Sequence, residues 1–329
     1  MQRSEFFLVK KQLTTIIFLL SALFLSGCGN AEENKTETTN DNMIDIYTTV
    51  YPLQYLAEEI GGKYVHVETV YPPGTDEHTY EPSQKDIVNM TNAELFFYIG
   101  HNLEGFVTKA QPILSDEGVK TVAIGEKVNL DDEAHTDNKH AHEEQEHSHN
   151  DDHDHGGVDP HLWLNPLYTA QMAEAIKTEL TKQMPEQADY FEAHYKQLDE
   201  QLHELDTQLA DTIKNGKTNE IIVSHAAYGY WEERYGLKQI SVTGLTTSTE
   251  PSQKELENIV RTAQEHNLKY VVFEQNISSK LTEIIQKELG AEALQLHNLA
   301  ILTDADLQAN ADYMSLMNKN IKTLQKALN

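Results

Sequence analysis

The residues best suited to chemistry are histidines, of which the chain has 16, and they fall into two kinds. Seven lie between residues 135 and 155, HTDNKHAHEEQEHSHNDDHDH, several as His-x-His pairs among seven carboxylates. Imidazole is a ligand of zinc and its neighbours in the transition series. A fixed coordination shell, however, needs ligands whose backbone holds them still, and Ala141 is the only apolar residue in this tract. The other nine stand singly, among them His78 in YPPGTDEHTYEPS, His161 in DPHLWLNP and His225 in SHAAYGY, and a carboxylate, Asp304, stands in LAILTDA. A lone histidine in a loop is most often solvated or hydrogen-bonded. Three at equivalent strand ends change that balance, because imidazole nitrogens converging from rigid supports are what zinc requires.

The elements that must position them are legible as short apolar runs alternating with helical patterns. IDIYTTV (44–50), YVHVETV (64–70), ELFFYIG (94–100) and KTVAIG (120–125) are rich in β-branched and aromatic residues, and segments such as LQYLAEEIGG and SQKDIVNMTNA between them carry helical spacing. The series restarts with EIIVSH (220–225), KQISVTG (238–244), KYVVFE (269–274) and EALQL (292–296). Strand and helix in alternation predict parallel sheets covered on both faces. Between the two series, Glu186 to Lys214 has apolar residues at three and four spacing, no internal Pro or Gly, and a stop at Asn215-Gly216, with a shorter helix over 167–183 before it. At about 1.5 Å per residue it makes a rod of roughly 43 Å. The expected fold is therefore α/β, two lobes each with a parallel sheet flanked by helices, joined by one long rigid α-helix. The lobes fall at 43–165 and 216–329, with connecting helices over 166–215 and a His-rich loop at 131–157. Ligands of open parallel sheets bind beyond the carboxyl ends of the strands, where all four candidate residues lie.

The chain's start and charge narrow the function further. Two lysines precede an apolar run of about a dozen residues, too short for a comfortable span, and predict a signal peptide over 1–27. It ends in Leu25-Ser26-Gly27-Cys28, and Cys28 is the only cysteine, so no disulfide within the chain is possible. This ending resembles the bacterial lipobox, which implies lipidation of Cys28 and a solvated tether over 28–42. A net charge of −28 argues against nucleic acid, which needs clustered Lys and Arg, and suits cations or simply solubility at a cell surface.

PPGTDEHTYEPSQKDI, the acidic His tract, DPHLWLNP, SHAAYGYWEERYGL, GLTTSTEPS and FEQNISSKL in combination resemble the zinc-binding lipoproteins of bacterial metal ABC transporters, a likeness covering nearly all of residues 43–327. The resemblance implies one Zn2+ in the cleft between two lobes, held by His78, His161 and His225. It also implies a protein tethered by lipid to the outer face of the cell membrane that passes its ion to a permease driven by a separate ATPase. No catalysis is implied. Manganese-binding relatives place a carboxylate at the position of His225, whose imidazole favours zinc. Many zinc relatives carry a Glu in a Leu-Glu-Gly-Leu-Thr-like turn; here it reads Leu299-Ala300-Ile301-Leu302-Thr303, and Ala300 has no ligand atom. Asp304 is the preferred fourth ligand, with Glu77, next to His78, and water as alternatives.

The tract then reads as an insertion at the mouth of the cleft, either a capture or sensing loop for zinc or an acidic insertion without effect on uptake. His66, His194, His203 and His266 are expected to be solvated, and His101 is a lesser candidate for the cleft. Trp163 and Trp231 are expected to pack around the site. Rival functions are manganese binding, adhesion to a host protein, and zinc-dependent hydrolysis, which needs an open coordination position beside a general base. No H-E-x-x-H motif occurs in the sequence.

Overall fold

All eight apolar runs become strands. In the computed structural model, β1 (Ile44–Thr48), β2 (Val65–Thr69), β3 (Leu95–Tyr98) and β4 (Lys120–Ala123) form one sheet in the order β2-β1-β3-β4. A second sheet repeats this topology with β5 (Glu220–His225), β6 (Lys238–Thr243), β7 (Tyr270–Glu274) and β8 (Glu292–Leu296), ordered β6-β5-β7-β8. The structure describes residues 43–130, 157–246, 251–275 and 279–329. The leader, Cys28 with its tether, the His-rich segment 131–156 and parts of GLTTSTEPS and FEQNISSKL lie outside the described residues.

Every strand pairing is parallel, with Ile46 beside Val67 and Leu95 in the first sheet and Val223 beside Ser241 and Val272 in the second. Parallel sheets covered on both faces have continuous apolar strands rather than alternating ones. Leu95, Phe96 and Phe97 in β3 are accordingly all fully buried. In each sheet the strand order reverses beside the first strand, and ligands of such sheets bind at that switch point. His225, the last residue of β5, stands there in the second sheet.

Helices cover the sheets. α1 (Tyr51–Gly61), α2 (Gln84–Met90) and α3 (Val107–Asp116) accompany the first. α4 (Pro166–Gln183) and α5 (Ala188–Lys214) follow it, and α6 (Gly229–Tyr235), α7 (Gln253–Glu265), α8 (Lys280–Leu289), α9 (Asp304–Gln308) and α10 (Tyr313–Ala327) accompany the second. Reciprocal capping boxes at Ser83, Ser252 and Asp312 start α2, α7 and α10 by satisfying backbone donors that have no partner within the helix. Gly62 ends α1 at φ 51°, and a Cβ there would lie 2.3 Å from the Tyr190 hydroxyl on α5. A glycine is thus needed both for the left-handed turn and for the close approach of the long helix.

The long helix α5 starts slightly later than the pattern indicated, because Pro185–Gln187 forms a separate 3-10 turn. It buries Phe191, Leu198, Leu202, Leu205, Leu209 and Ile213 along one stripe. That stripe packs on α4, on α1 of the first lobe and on α10 of the second. One apolar cluster consequently runs from Ile44 and Phe96 through Trp163, Leu205 and Trp231 to Tyr313 and Leu324. A smaller one, with Ile222, Val242, Ala263, Val271 and Ile285, is joined by residues of α7 and α8. Among the described residues no helix is long and apolar enough to cross a membrane.

Candidate metal centre

The chain delivers its three candidate histidines by two local devices. In the first lobe both follow an aspartate by two positions: the His78 backbone N–H donates to Asp76 Oδ1 at 2.9 Å, and that of His161 to Asp159 Oδ1 at 3.0 Å. These Asx turns fix the backbone without secondary structure. His225 is instead held by the ladder, opposite Thr243 in β6. His161 and His225 are buried and His78 is half-buried.

Their rings converge on one point. His161 Nε2 lies 3.3 Å from His78 Nε2 and 3.3 Å from His225 Nε2. A tetrahedral zinc ion with Zn–N bonds of about 2.0–2.1 Å sets its nitrogens about 3.3–3.4 Å apart, so the spacing is that of a coordination edge. Among the described residues these three form the group of His, Cys, Asp or Glu side chains whose ligand atoms lie within 4.8 Å of one another. The far nitrogens are held by carboxylates: His161 Nδ1 is 2.7 Å from Asp159 Oδ1, and His225 Nδ1 pairs with Glu274 Oε1. A carboxylate on Nδ1 places the proton there and leaves the Nε2 lone pair for a metal.

Electrostatics favour a cation. Burial, followed by the neighbouring His161 and His225, lowers the His78 pKa to about 4, so that ring stays neutral through the physiological range. Burial works against charge on His225, but the Glu274 carboxylate outweighs it and the net direction is upward. Glu274 is pulled the other way, since His225 outweighs its own desolvation. Glu77 is 1% exposed and its pKa is pushed up to about 8, chiefly by burial. Its Oε1 accepts from Asn298 Nδ2 at 3.0 Å, while Oε2 is buried without a hydrogen-bond partner among the described residues, as is the hydroxyl of Tyr228. Unsatisfied buried oxygens are costly and call for an explanation. A bound cation beside Glu77 supplies one.

The structure does not bring Asp304 to the three imidazoles. It is exposed in the first turn of α9, and it is Asp306 that turns inward, bonding Thr303 and His297 Nε2. Thr303 caps a new helix there, and the capping box turns the side chain three residues on, rather than the first, back towards the chain. His66 pairs with Asp45 and His266 with Glu220, while His194 and His203 bond the carbonyls of Glu59 and Asp199; all four are surface interactions. His101 adopts φ 50° and its Nε2 is buried without a partner among the described residues, but it is not in the ligand group.

Trp163 and Trp231 are fully buried, and the Trp163 ring centroid lies 5.5 Å from that of His161. Their indole N–H groups donate to Asn298 O and Leu164 O, both at 2.7 Å, tying one lobe to the other. Sequence reasoning missed Asp159, Glu274 and Asn298. The repeated Asp-x-His at 76–78 and 159–161 was a usable sign for the first; nothing local marked the other two.

Known proteins resemble this chain along most of its length. The family described as zinc-uptake complex component A, periplasmic, matches residues 46–327. The high-affinity zinc uptake system protein ZnuA of Bacillus subtilis is 30% identical over 314 residues, 95% of this chain and 97% of that protein. The zinc-binding lipoprotein AdcA of Streptococcus pneumoniae R6 is 31% identical over 323 residues, 96% of this chain but 61% of AdcA, so the chain spans about three-fifths of that relative. The crystal structure of the Zn(II)-bound ZnuA-like domain of AdcA superposes with a TM-score of 0.69 at 29% identity, covering 87% of this chain and 99% of that domain.

Proposed function

The chain belongs to the zinc-uptake complex component A family, and from that membership we propose that it captures Zn(II) outside the cytoplasm and delivers it to an ABC-type metal permease. The observation that carries the reading is the convergence of three imidazoles from supports on both lobes, with His161 Nε2 3.3 Å from the Nε2 of His78 and of His225 and all three ligand atoms within 4.8 Å of one another. Among the described residues the group consists of three imidazoles, and nitrogen ligands favour zinc over manganese. Family and site alike describe a solute-binding transport protein, and no reaction on the cargo is proposed.

The proposed ligands are His78, His161 and His225, with Glu77 rather than Asp304 as the carboxylate that completes the shell. Glu77 is buried beside the site with one oxygen unpartnered, and His225 and Glu77 act electrostatically on one another. A carboxylate also offsets part of the ion's double charge in a desolvated cleft. The proposed organisation has lobes at 43–165 and 216–329 joined by helices over 166–215. Cys28 carries the lipid that tethers the protein to the outer face of the membrane, and the 131–157 loop raises local zinc near the cleft. Its partners are a permease and a separate ATPase. Titration of the metal-free protein with Zn and Mn against a chromophoric chelator tests this. Tight binding of one Zn equivalent and weaker binding of Mn is expected; a preference for Mn would overturn it.

A further inference from the structure

Ala300 offers the metal centre no ligand, yet its turn sends a side chain there from two residues earlier. Asn298 follows β8 and is wholly buried, and each of its polar groups is engaged. Its carbonyl accepts the Trp163 indole N–H at 2.7 Å, and its backbone N–H donates to Gln275 Oε1 at 2.9 Å. Oδ1 accepts from Ala300 N–H at 3.1 Å and from Gln275 Nε2 at 2.8 Å. A backbone N–H can only donate, so the Ala300 contact fixes which end of the amide is oxygen. Nδ2 therefore faces the other way, and its two hydrogens reach two carboxylates: Glu77 Oε1 at 3.0 Å and Glu274 Oε2 at 2.8 Å. Those carboxylates belong to different lobes, and each is tied to a metal-binding histidine. Glu77 immediately precedes His78, and Glu274 holds His225 Nδ1.

We infer that Asn298 is a positioning residue of the zinc site, engaging one oxygen of Glu77 so that the other faces the ion, and one oxygen of Glu274 so that the other stays on His225 Nδ1. The inference rests on the zinc-capture reading and adds to it the group that sets both halves of the site together. A primary amide suits the role because it donates twice and carries no charge. A lysine would cancel the negative potential that attracts the cation. An aspartate would remove the N–H donors and add a third carboxylate to a buried pair. Because a single amide serves both lobes, displacing it disturbs a first-lobe oxygen and a second-lobe imidazole at once.

Asn298→Asp and Asn298→Ala, each alone and combined with Glu77→Gln, provide the test. Their readouts are zinc competition with a chromophoric chelator, the visible absorption of Co(II) in the site and metal-free thermal melting. Asn298→Asp keeps the acceptor that holds Ala300 N–H, and it decides the matter should the alanine variant fail to fold. The expected result is a fall in zinc affinity of about 10–100-fold and an altered Co(II) spectrum. In the Glu77→Gln background the same substitution should cost a clearly smaller factor, since residues acting through one another are not additive. Unchanged affinity and spectrum in a folded Asn298 variant, or equal losses with and without Glu77, would overturn the inference while leaving zinc capture standing. A wild-type protein without tight zinc binding would remove the capture reading itself, and this inference with it.

Discussion

A buried carboxyl and a half-buried imidazole with opposite shifts give the site a defined response to pH. Glu77 is raised to about 8 by burial, so the stability its protonated form contributes is present below the unfolded carboxyl pKa, about 4.3, and is lost as pH rises through about 8. His78 is lowered to about 4, so its contribution is complete above about 6.5 and is lost as pH falls towards 4. With Glu77 as the proposed fourth ligand, zinc requires it ionised, so loading near pH 7 should expel its proton, and apparent affinity should climb with pH and flatten above 8. Calorimetry in buffers of differing ionisation enthalpy should find about one proton fewer released by Glu77→Gln than by wild type. Equal release would remove Glu77 from the shell. Glu77→Gln should also weaken binding more than Asp304→Asn, because Asp304 is exposed on α9. The three histidines were legible because each stands in a distinctive short motif, two of them as Asp-x-His and His225 at the end of a strand. The burial of the carboxylates was not, since a capping box at Thr303 turns Asp306 inward and leaves Asp304 exposed, which nothing local marked.

At the scale of elements, the site depends on two helices that do not supply a ligand. α6 begins at Gly229, where a Cβ would stand 2.8 Å from Asp159 Oδ2, the carboxylate that orients His161. Gly229→Ala should therefore displace Asp159 and lower zinc affinity by up to about tenfold with little change in metal-free melting. Unchanged affinity would show that Asp159 absorbs the methyl without moving His161. α5 carries the opposite expectation. Leu205 is 1% exposed within its apolar stripe, and Leu205→Ala should cost about 2–5 kcal/mol of stability in denaturant unfolding while leaving the ligand spacing intact. These elements were legible to within a few residues, because continuous apolar runs and a three-and-four stripe are strong periodic signals. The Asp159–Gly229 approach was not, being a contact between positions 70 residues apart whose partners carry no shared pattern.

For the whole molecule, the doubling of one strand order, each sheet with its switch point, brings three histidines from two lobes within 4.8 Å of one another, where the proposed ion would be clamped. Clamping of this kind stabilises the folded state by about 2.7 kcal/mol when free zinc stands at 100 times its Kd. The lipoprotein reading has its own check: Cys28→Ser should release or misprocess the protein without altering zinc binding by the soluble part, and a mature, membrane-bound mutant would contradict it. The alternation of elements made the two-lobe plan readable. The cross-lobe bonds of Trp163, Trp231 and Asn298 were not, because they join residues far apart in the chain.

The central claim, that one rigid three-histidine site rather than the His tract holds the principal ion, is tested most directly by zinc competition titration of wild type, His225→Ala and a deletion of 135–155. One tight equivalent should persist in wild type and in the deletion, which should lose only weaker stoichiometry, while His225→Ala loses most of the tight affinity. Equal loss of the tight site in the deletion and in His225→Ala would place the metal in the tract and contradict the account.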